Sequence, residues 1–225
     1  MQHTDIAKYI DHTLLKQTAT KEQIEKLSNE AIKYKFAAVC VNPYWVTLCS
    51  KILKNTGVKT CTVVGFPLGA VPTKIKLYET DCCLQNGADE IDMVMNIGEA
   101  LSGNWDFVSG EIAELAGLVH KNNKILKVIF ENCLIGKEDI VKACHASMKA
   151  GADFVKTSTG FSTGGATPED VKLMVNTVEG VCKVKAAGGV RNTEQAIQMI
   201  QIGASRIGTS AGVEIVSGKT STGTY

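Results

Sequence analysis

A lysine ends the short apolar segment Phe154-Val155-Lys156, and small polar residues follow it as far as Gly160. Successive side chains of a strand point to opposite faces, so Val155 and Lys156 would lie on different sides. In a sheet covered on both faces, burial and a nearby positive charge both lower the pKa of an inward-facing amine, which can then act as a nucleophile. The alternative is a lysine that reaches from the strand end into solvent. This segment alone leaves both interpretations open.

Other predicted strands also carry charged residues between apolar neighbours. Strand alternation places one charged set opposite the apolar residues, namely Asp92, Lys127, Glu131, Lys156, Lys183 and Lys185. Taken singly, each of three residues also has a non-catalytic interpretation: Asp92 as an ion-pair partner, Lys127 as a structural residue, and Lys183 as a surface residue low in its strand. Separate structural roles explain less well why three such residues, Asp92, Lys156 and Lys185, all lie near strand ends. A second ammonium group at Lys185 would favour the neutral, nucleophilic amine of Lys156.

Eight short apolar segments alternate with stretches of helical periodicity along the 225 residues. The predicted strands cover residues 9–15, 36–41, 59–64, 90–95, 125–130, 154–156, 181–187 and 206–208. A glycine and a small residue lead into a strand three times, at Gly87-Ala88, Gly151-Ala152 and Gly203-Ala204. Because no linker divides the chain, we predict one domain over residues 1–225, an α/β protein folded as a parallel (β/α)8 TIM barrel. A doubly wound open sheet is the alternative.

Glycine-rich loops follow the predicted sixth, seventh and eighth strands. Gly160 lies in the first loop, Gly188-Gly189 in the second, and residues 208–212, which include Ser210, in the third. Catalytic groups of such barrels lie at the carboxyl ends of the strands, and the last two loops commonly bind phosphate through backbone N–H groups. The sequence therefore predicts a phosphate site near Lys156.

Composition argues against several other classes of function. A formal net charge of +1 gives no electrostatic reason to expect nucleic acid or an anionic membrane as a partner. The eight cysteines are scattered without a C-x-x-C pair, which favours a reducing compartment over disulfides or a zinc site. The sequence shows neither a metal-binding histidine pattern nor a dinucleotide or ATP motif. With no leader pattern and no apolar run of membrane-spanning length, the prediction is a cytoplasmic protein without metal or cofactor.

The chain resembles the deoxyribose-phosphate aldolase family over nearly its whole length. The shared motifs begin at Asp11, Val63, Glu90, Phe154 and Val184, and the last two, FVKTSTGF and VKAAGGVR, are the most specific. The resemblance implies a class I aldolase on a (β/α)8 barrel that works without metal. It also implies interconversion of 2-deoxy-D-ribose 5-phosphate with D-glyceraldehyde 3-phosphate and acetaldehyde.

Residue roles follow from the same resemblance. Lys156 would form the Schiff base, Lys185 would perturb its protonation and take part in proton transfer, and Asp92 would join that relay through water. The phosphate would be bound at Gly160, Gly188, Gly189 and Ser210. Ala211 stands where many relatives have a second serine, and Tyr225 ends a tail, from about residue 218, that some relatives use in proton transfer.

Several expectations remain open beside these roles. Asp11 and Thr13 on the first strand are interpreted as hydrogen-bond partners only. A homodimer is the assembly that the resemblance implies. Two alternatives keep the phosphate loops without requiring a nucleophilic lysine: a phosphosugar isomerase or synthase, and a non-catalytic phosphosugar-binding barrel.

Overall fold

The computed structural model describes residues 6–220 and contains eight parallel strands in one closed barrel. The strands are β1 (Ile10–Leu14), β2 (Ala38–Val41), β3 (Lys59–Val64), β4 (Glu90–Val94), β5 (Ile125–Ile129), β6 (Phe154–Lys156), β7 (Lys183–Ala187) and β8 (Arg206–Thr209). Each strand pairs with the next in chain order, and β8 pairs with β1 to close the ring. The predicted (β/α)8 barrel is therefore confirmed.

Helices connect the strands on the outside of the barrel. They are α1 (Lys21–Tyr34), α2 (Val46–Leu53), α3 (Thr73–Gln85), α4 (Ile97–Leu101), α5 (Trp105–Lys121), α6 (Lys137–Lys149), α7 (Pro168–Val178), α8 (Thr193–Ile202) and α9 (Gly212–Val216). Two short 3-10 helices add to these, Pro43–Trp45 and Asn132–Leu134. Within residues 6–220, none of the helices combines the length and the apolar character needed to span a membrane.

Side-chain caps fix where several helices begin. Thr20 forms a capping box with Gln23 at the start of α1. The Thr167 side chain accepts the N–H of Asp170 at the start of α7, and Asn192 caps α8 in the same way. A cap satisfies backbone N–H groups that have no partner inside the helix. The three helices accordingly begin at Lys21, Pro168 and Thr193.

Two local differences from the prediction have clear causes. β2 begins at Ala38 rather than at residue 36, because the N–H of Phe36 bonds to the carbonyl of Ala31 at 3.0 Å and closes the end of α1. The unpredicted helix α4 forms after β4, where Asn96 Oδ1 accepts the N–H of Glu99 at 3.2 Å. Both depend on hydrogen bonds of single residues, which hydrophobic periodicity does not report.

The interior of the barrel has an apolar part and a charged part. The largest core lies between the strands and the helices. Inside the barrel, the first three strands and their ends contribute a smaller apolar cluster of Leu15, Ala38, Cys40, Cys61 and Val63. Buried charged side chains occupy the remaining interior, chiefly Asp92 of β4, Lys127 of β5, Lys156 of β6 and Lys185 of β7. The apolar interior residues thus come from the first three strands and their ends, and these charged ones come from β4 to β7.

Candidate active site

Lys156 and Lys185 converge on one oxygen of Asp92. Lys156 is the last residue of β6, and its Nζ lies 2.8 Å from Asp92 Oδ2. Lys185 is its neighbour in the β6–β7 register and donates to the same oxygen at 2.7 Å. Because one atom accepts from both amines, the two nitrogens are close neighbours inside the barrel. The structure therefore brings these three sequence-predicted residues into direct contact.

The other oxygen of Asp92 has different donors. Lys127 Nζ donates to Asp92 Oδ1 at 2.7 Å, and Cys61 Sγ lies 3.2 Å from the same atom. Lys127 stands beside Asp92 in the β4–β5 register. Both donors and Asp92 itself are fully buried. Lys127, interpreted from the sequence as structural, thus belongs to the same network as the candidate catalytic residues, and Cys61 was missed because a buried thiol looks like a small apolar residue.

A second layer of ion pairs lies deeper in the barrel. Lys185 Nζ is 2.5 Å from Asp11 Oδ2, and Lys127 Nζ is 2.6 Å from Glu90 Oε2. Arg206 bonds to Asp11 and lies 2.6 Å from Glu90 Oε1. Sequence reasoning gave Asp11 a hydrogen-bonding role only and gave Arg206 and Glu90 none, because charged residues at the first position of a strand are usually solvated. Alternation was the available signal, since Glu90 lies two positions before Asp92 and Arg206 lies two positions before Gly208.

The ion pairs determine the protonation of the buried groups. Burial alone would raise the pKa of Asp92, but the ammonium groups of Lys127, Lys156 and Lys185 hold that pKa well below its usual range. Burial alone would lower the pKa of Lys185, but Asp11 and Asp92 raise it above the usual range of a lysine. The same balance raises the pKa of Lys127. These groups therefore stay charged at neutral pH.

Among residues 6–220, the cluster contains one more basic group than it has carboxylates. The basic groups are Lys127, Lys156, Lys185 and Arg206, and the carboxylates are Asp11, Glu90 and Asp92. An uncompensated charge is costly in a buried site, so the cluster is balanced when one basic group is neutral. Arginine stays protonated in proteins. Among the described residues, Lys156 pairs only with Asp92, and at 3% exposure it is less enclosed than Lys127 or Lys185 at 0%.

The predicted glycine loops form a separate cavity at the carboxyl end of the barrel. It has a volume of about 330 Å³ and is lined by Gly160, Ser162, Thr163, Gly164, Gly165, Gly188, Gly189 and Arg191. Three of the four predicted phosphate residues, Gly160, Gly188 and Gly189, thus lie together. The fourth, Ser210, is exposed in the loop after β8 and is not among the residues that line this cavity. Arg191 was missed, although its position two residues after the Gly188-Gly189 pair was a usable signal.

The cavity depends on a close backbone contact between two loops. A Cβ atom added at Gly165 would lie 2.4 Å from the carbonyl oxygen of Gly188. The N–H of Ala166 donates to that oxygen at 2.9 Å. Gly188 and Gly189 have φ angles of 86° and 82°, a region that favours glycine. The loops after β6 and β7 are therefore joined at a point where a side chain at Gly165 does not fit.

Glu131 ties the loop after β6 to the end of β5. Its carboxylate accepts the N–H of Thr159 at 3.1 Å and the Thr159 hydroxyl. Thr159 Oγ1 in turn accepts the N–H of Phe161 at 3.0 Å. Phe161 packs edge to face against Phe66 in the loop after β3, with ring centroids 5.2 Å apart. Glu131, which alternation placed with Lys127, thus supports the loop that carries Gly160.

Two sets of buried donor atoms are close enough to raise the question of a metal site. Their ligand atoms lie within 4.8 Å of one another, and the sets are Cys40-Cys61-Asp92 and Asp11-Cys61-Glu90. Every carboxylate in them already pairs with an ammonium or guanidinium group. A metal cation would have to displace these groups and lie among the remaining positive charges. The donor set therefore suits ion pairs better than a metal ion.

Four other features were considered in the sequence: Lys183, the cysteines, Ala211 and Tyr225. Lys183 is exposed at the start of β7, as its interpretation as a surface residue low in the strand predicted. All eight cysteines are free. The N–H of Ala211 donates to Thr209 Oγ1 at 3.0 Å, so this group is already engaged within its own loop. Tyr225 lies outside the described residues.

Comparison with known proteins identifies the family. The model of the DeoC/LacD family aldolases matches residues 6–218. The chain belongs to this aldolase family. It is therefore a lyase that acts on carbon–carbon bonds.

Individual relatives agree with this assignment. Deoxyribose-phosphate aldolase from Geobacillus sp. (strain WCH70) is 56% identical over 98% of this chain and 99% of its own length. The enzyme of that name from Thermococcus gammatolerans is also 56% identical, over 95% and 96%. The structure of a putative deoxyribose-phosphate aldolase from Coccidioides immitis superposes with a TM-score of 0.93 at 41% identity, covering 96% of this chain and 86% of the other. A tetrameric deoxyribose phosphate aldolase from Aeropyrum pernix gives a TM-score of 0.90 at 35% identity, covering 96% and 91%.

Proposed function

We propose that the protein is a class I aldolase that reversibly cleaves 2-deoxy-D-ribose 5-phosphate into D-glyceraldehyde 3-phosphate and acetaldehyde. The observation that carries the proposal is the position of Lys156 at the carboxyl end of β6, where its Nζ shares Asp92 Oδ2 with Lys185. The excess of one basic group in the cluster supports a neutral Lys156 beside charged neighbours. A neutral amine next to a charged one is the arrangement that a Schiff-base lysine requires.

In the covalent steps Lys156 acts first as a nucleophile, and the iminium ion that it forms then acts as an electron acceptor. Lys156 Nζ attacks the C1 aldehyde carbon of the open-chain sugar, and loss of water from the carbinolamine gives an iminium ion. The iminium draws the electron pair of the C2–C3 bond as the C3 hydroxyl loses its proton, which releases glyceraldehyde 3-phosphate. Protonation of the enamine at C2, followed by hydrolysis, releases acetaldehyde and restores the amine.

Proton transfer is proposed for Asp92 and Lys185. Asp92 Oδ2 contacts both amines, so a proton can pass between them through one carboxylate oxygen or through a water held there. Lys185 supplies the charge that favours the neutral form of Lys156. Lys127 is assigned a supporting role, since it pairs with Asp92 and Glu90 deeper in the barrel.

The phosphate is proposed to bind in the glycine cavity. Gly160, Gly188 and Gly189 provide backbone N–H groups, and Arg191 supplies a guanidinium group suited to a phosphate dianion. Ser210 follows β8, and its hydroxyl is assigned to the same ligand on the family resemblance. This arrangement would hold C5 of the sugar near the loops and C1 near Lys156.

Three broader features belong to the same proposal. Catalysis proceeds without a metal ion, since Lys156 itself provides the electron sink. The protein works in the cytoplasm on small phosphosugars and aldehydes. It forms homo-oligomers, with a dimer as the expected unit and the Aeropyrum pernix tetramer as a related precedent.

Borohydride trapping tests the proposed chemistry. Incubation with acetaldehyde and sodium borohydride should add one reduced ethyl group, located at Lys156 by peptide mass analysis. Lys156→Ala should lose the adduct, whereas Lys183→Ala, which removes an exposed lysine of the neighbouring strand, should keep it. An isomerase or a binding protein would give no specific adduct. An adduct of equal yield on Lys156→Ala would overturn the assignment.

A further inference from the structure

Cys61 occupies an unusual position among the interior residues. It lies in β3 beside Cys40 of β2 and Glu90 of β4 in the strand register, and it is fully buried. Its Sγ is 3.2 Å from Asp92 Oδ1 and 3.3 Å from Lys127 Nζ. The thiol thus lies where the apolar part of the barrel interior meets the charged part.

The contacts define the direction of both hydrogen bonds. An ionised carboxylate only accepts hydrogen bonds and an ammonium group only donates them. Cys61 therefore donates its S–H to Asp92 and accepts from Lys127. Burial raises the pKa of this thiol, and Cys40 and Asp92 raise it further, so the proton stays on the sulfur.

We infer that Cys61 is a positioning residue for Asp92, a role that rests on the proposed function. Together with Lys127, Cys61 holds Oδ1 and so fixes the rotation of the carboxylate. Oδ2 is then left facing the two lysines that take part in proton transfer. Cys61 does not touch the substrate in this assignment and acts only through Asp92.

The reaction itself creates the need for such support. As an iminium ion, Lys156 Nζ carries a single N–H and offers Asp92 fewer hydrogen bonds than the free amine does. Lys127 cannot fix the carboxylate alone, because its Nζ also pairs with Glu90 at 2.6 Å and lies 3.9 Å from Asp11. A neutral donor at Oδ1 restrains Asp92 without adding a further positive charge to a cluster that already has one in excess.

Three variants test the inference. Cys61→Ala should lower kcat for 2-deoxyribose 5-phosphate cleavage about tenfold while KM stays within about twofold, since the lost bond orients a proton-transfer group. Cys61→Ser, which restores a donor of similar size, should recover most of that loss. Cys40→Ala is the matched control, because it removes the neighbouring buried thiol of β2, which lies beside Cys61 in the strand register. Its kcat should remain close to that of the wild type.

The outcomes separate this inference from the proposed function. A wild-type kcat in Cys61→Ala, or an equal loss in Cys40→Ala, would show that the thiol only fills space. Absence of the borohydride adduct in the wild type would instead overturn the aldolase assignment. If Cys61→Ala fails to fold, Cys61→Val replaces it, since valine fills the volume without offering a donor, and its kcat should be as low as that expected for alanine.

Discussion

Lys156 and Lys185 donate to the same carboxylate oxygen, Asp92 Oδ2, at 2.8 and 2.7 Å. Two amino groups that share one acceptor are distinguished by the other partners that each of them has. Lys185 also pairs with Asp11, whereas Lys156 pairs with Asp92 alone among the described residues. The shared oxygen therefore distinguishes two residues of the same type.

Removing Lys185 should change the charge balance around Lys156. In Lys185→Leu the three remaining basic groups match three carboxylates, so the cluster no longer has a basic group in excess. We expect kcat to fall by about 100-fold or more, and borohydride trapping to give less adduct than in the wild type. Activity assays and trapping between pH 6 and pH 10 measure both effects. Lys183→Leu is the control on the same strand, and unchanged turnover in Lys185→Leu would refute the role.

Replacing Arg191 should separate phosphate binding from the chemical step. Arg191→Ala should raise KM for 2-deoxyribose 5-phosphate about tenfold or more, because a charge-assisted bond to phosphate is lost. Activity with unphosphorylated 2-deoxyribose should change little, since that substrate has no group for the cavity. Arg191→Lys should keep part of the affinity. Equal losses for the two sugars would place Arg191 outside the phosphate site.

A buried ion pair behind β4 should contribute to stability rather than to catalysis. Lys76 Nζ is 2.8 Å from Glu111 Oε2 and 2.9 Å from the carbonyl of Val94, and both charged side chains are fully buried. Lys76→Met leaves a buried carboxylate without its cation, so the free energy of unfolding should fall by about 3–5 kcal/mol.

Urea unfolding measures this loss of unfolding free energy, and two further variants test whether the unpaired charge causes it. Lys76→Met combined with Glu111→Leu should recover much of the stability, because neither charge is then left uncompensated. Lys21→Met removes an exposed partner of Glu25, at 3.7 Å, and should cost less than about 1 kcal/mol. A Lys76→Met variant as stable as the wild type would contradict the ion-pair assignment.

Acid should weaken the barrel through its buried carboxyl groups. Burial alone would raise the pKa of Asp11 and Asp92, but the surrounding lysines, with Arg206 beside Asp11, lower both well below their usual value of 3.8. The folded protein keeps these groups ionised where the unfolded chain binds protons. Their contribution is therefore complete above about pH 5 and is lost as the pH falls below about 4.

The expected change is a decrease in unfolding free energy of roughly 1 to 3 kcal/mol per pH unit below about pH 4. Urea titrations at pH 7, 5, 4 and 3, followed by circular dichroism, provide the measurement. High salt should change the result little, because buried pairs are weakly screened. A stability that stays constant down to pH 3 would contradict the lowered pKa values.

Much of the fold was predictable because its signals are local. Helical periodicity, caps such as Thr20 and Thr167, and glycine joints at Gly87 and Gly151 located most elements within one or two residues. Strand alternation also indicated which charged residues face inward. What alternation does not contain is the register between strands, because a period of two gives the face of a residue but not its neighbour on the next strand.

The site was predictable only in part for the same reason. The distances that join Lys127 to Asp92 and Cys61 to Asp92 depend on the β3–β4–β5 register. Arg206 and Glu90 begin their strands, where alternation gives the face of a charged residue but not whether that end of the strand is solvated, and they become interior residues only because the barrel closes. Ser210 was placed by family resemblance, and no pattern in its own segment showed whether it would line the cavity.

The charged cluster also constrains how this chain can fold. Its members come from β1 and from β4 through β8, and the Arg206–Asp11 bond joins residues 195 positions apart. A fragment that stops before β8 would leave Asp11 and Glu90 without the guanidinium group that pairs with both. Each carboxylate would keep one lysine partner, Lys185 or Lys127, but would lose its charge-assisted bond to Arg206. The pairing of Asp11 and Glu90 with Arg206 is therefore complete only when β8 joins β1 and closes the ring.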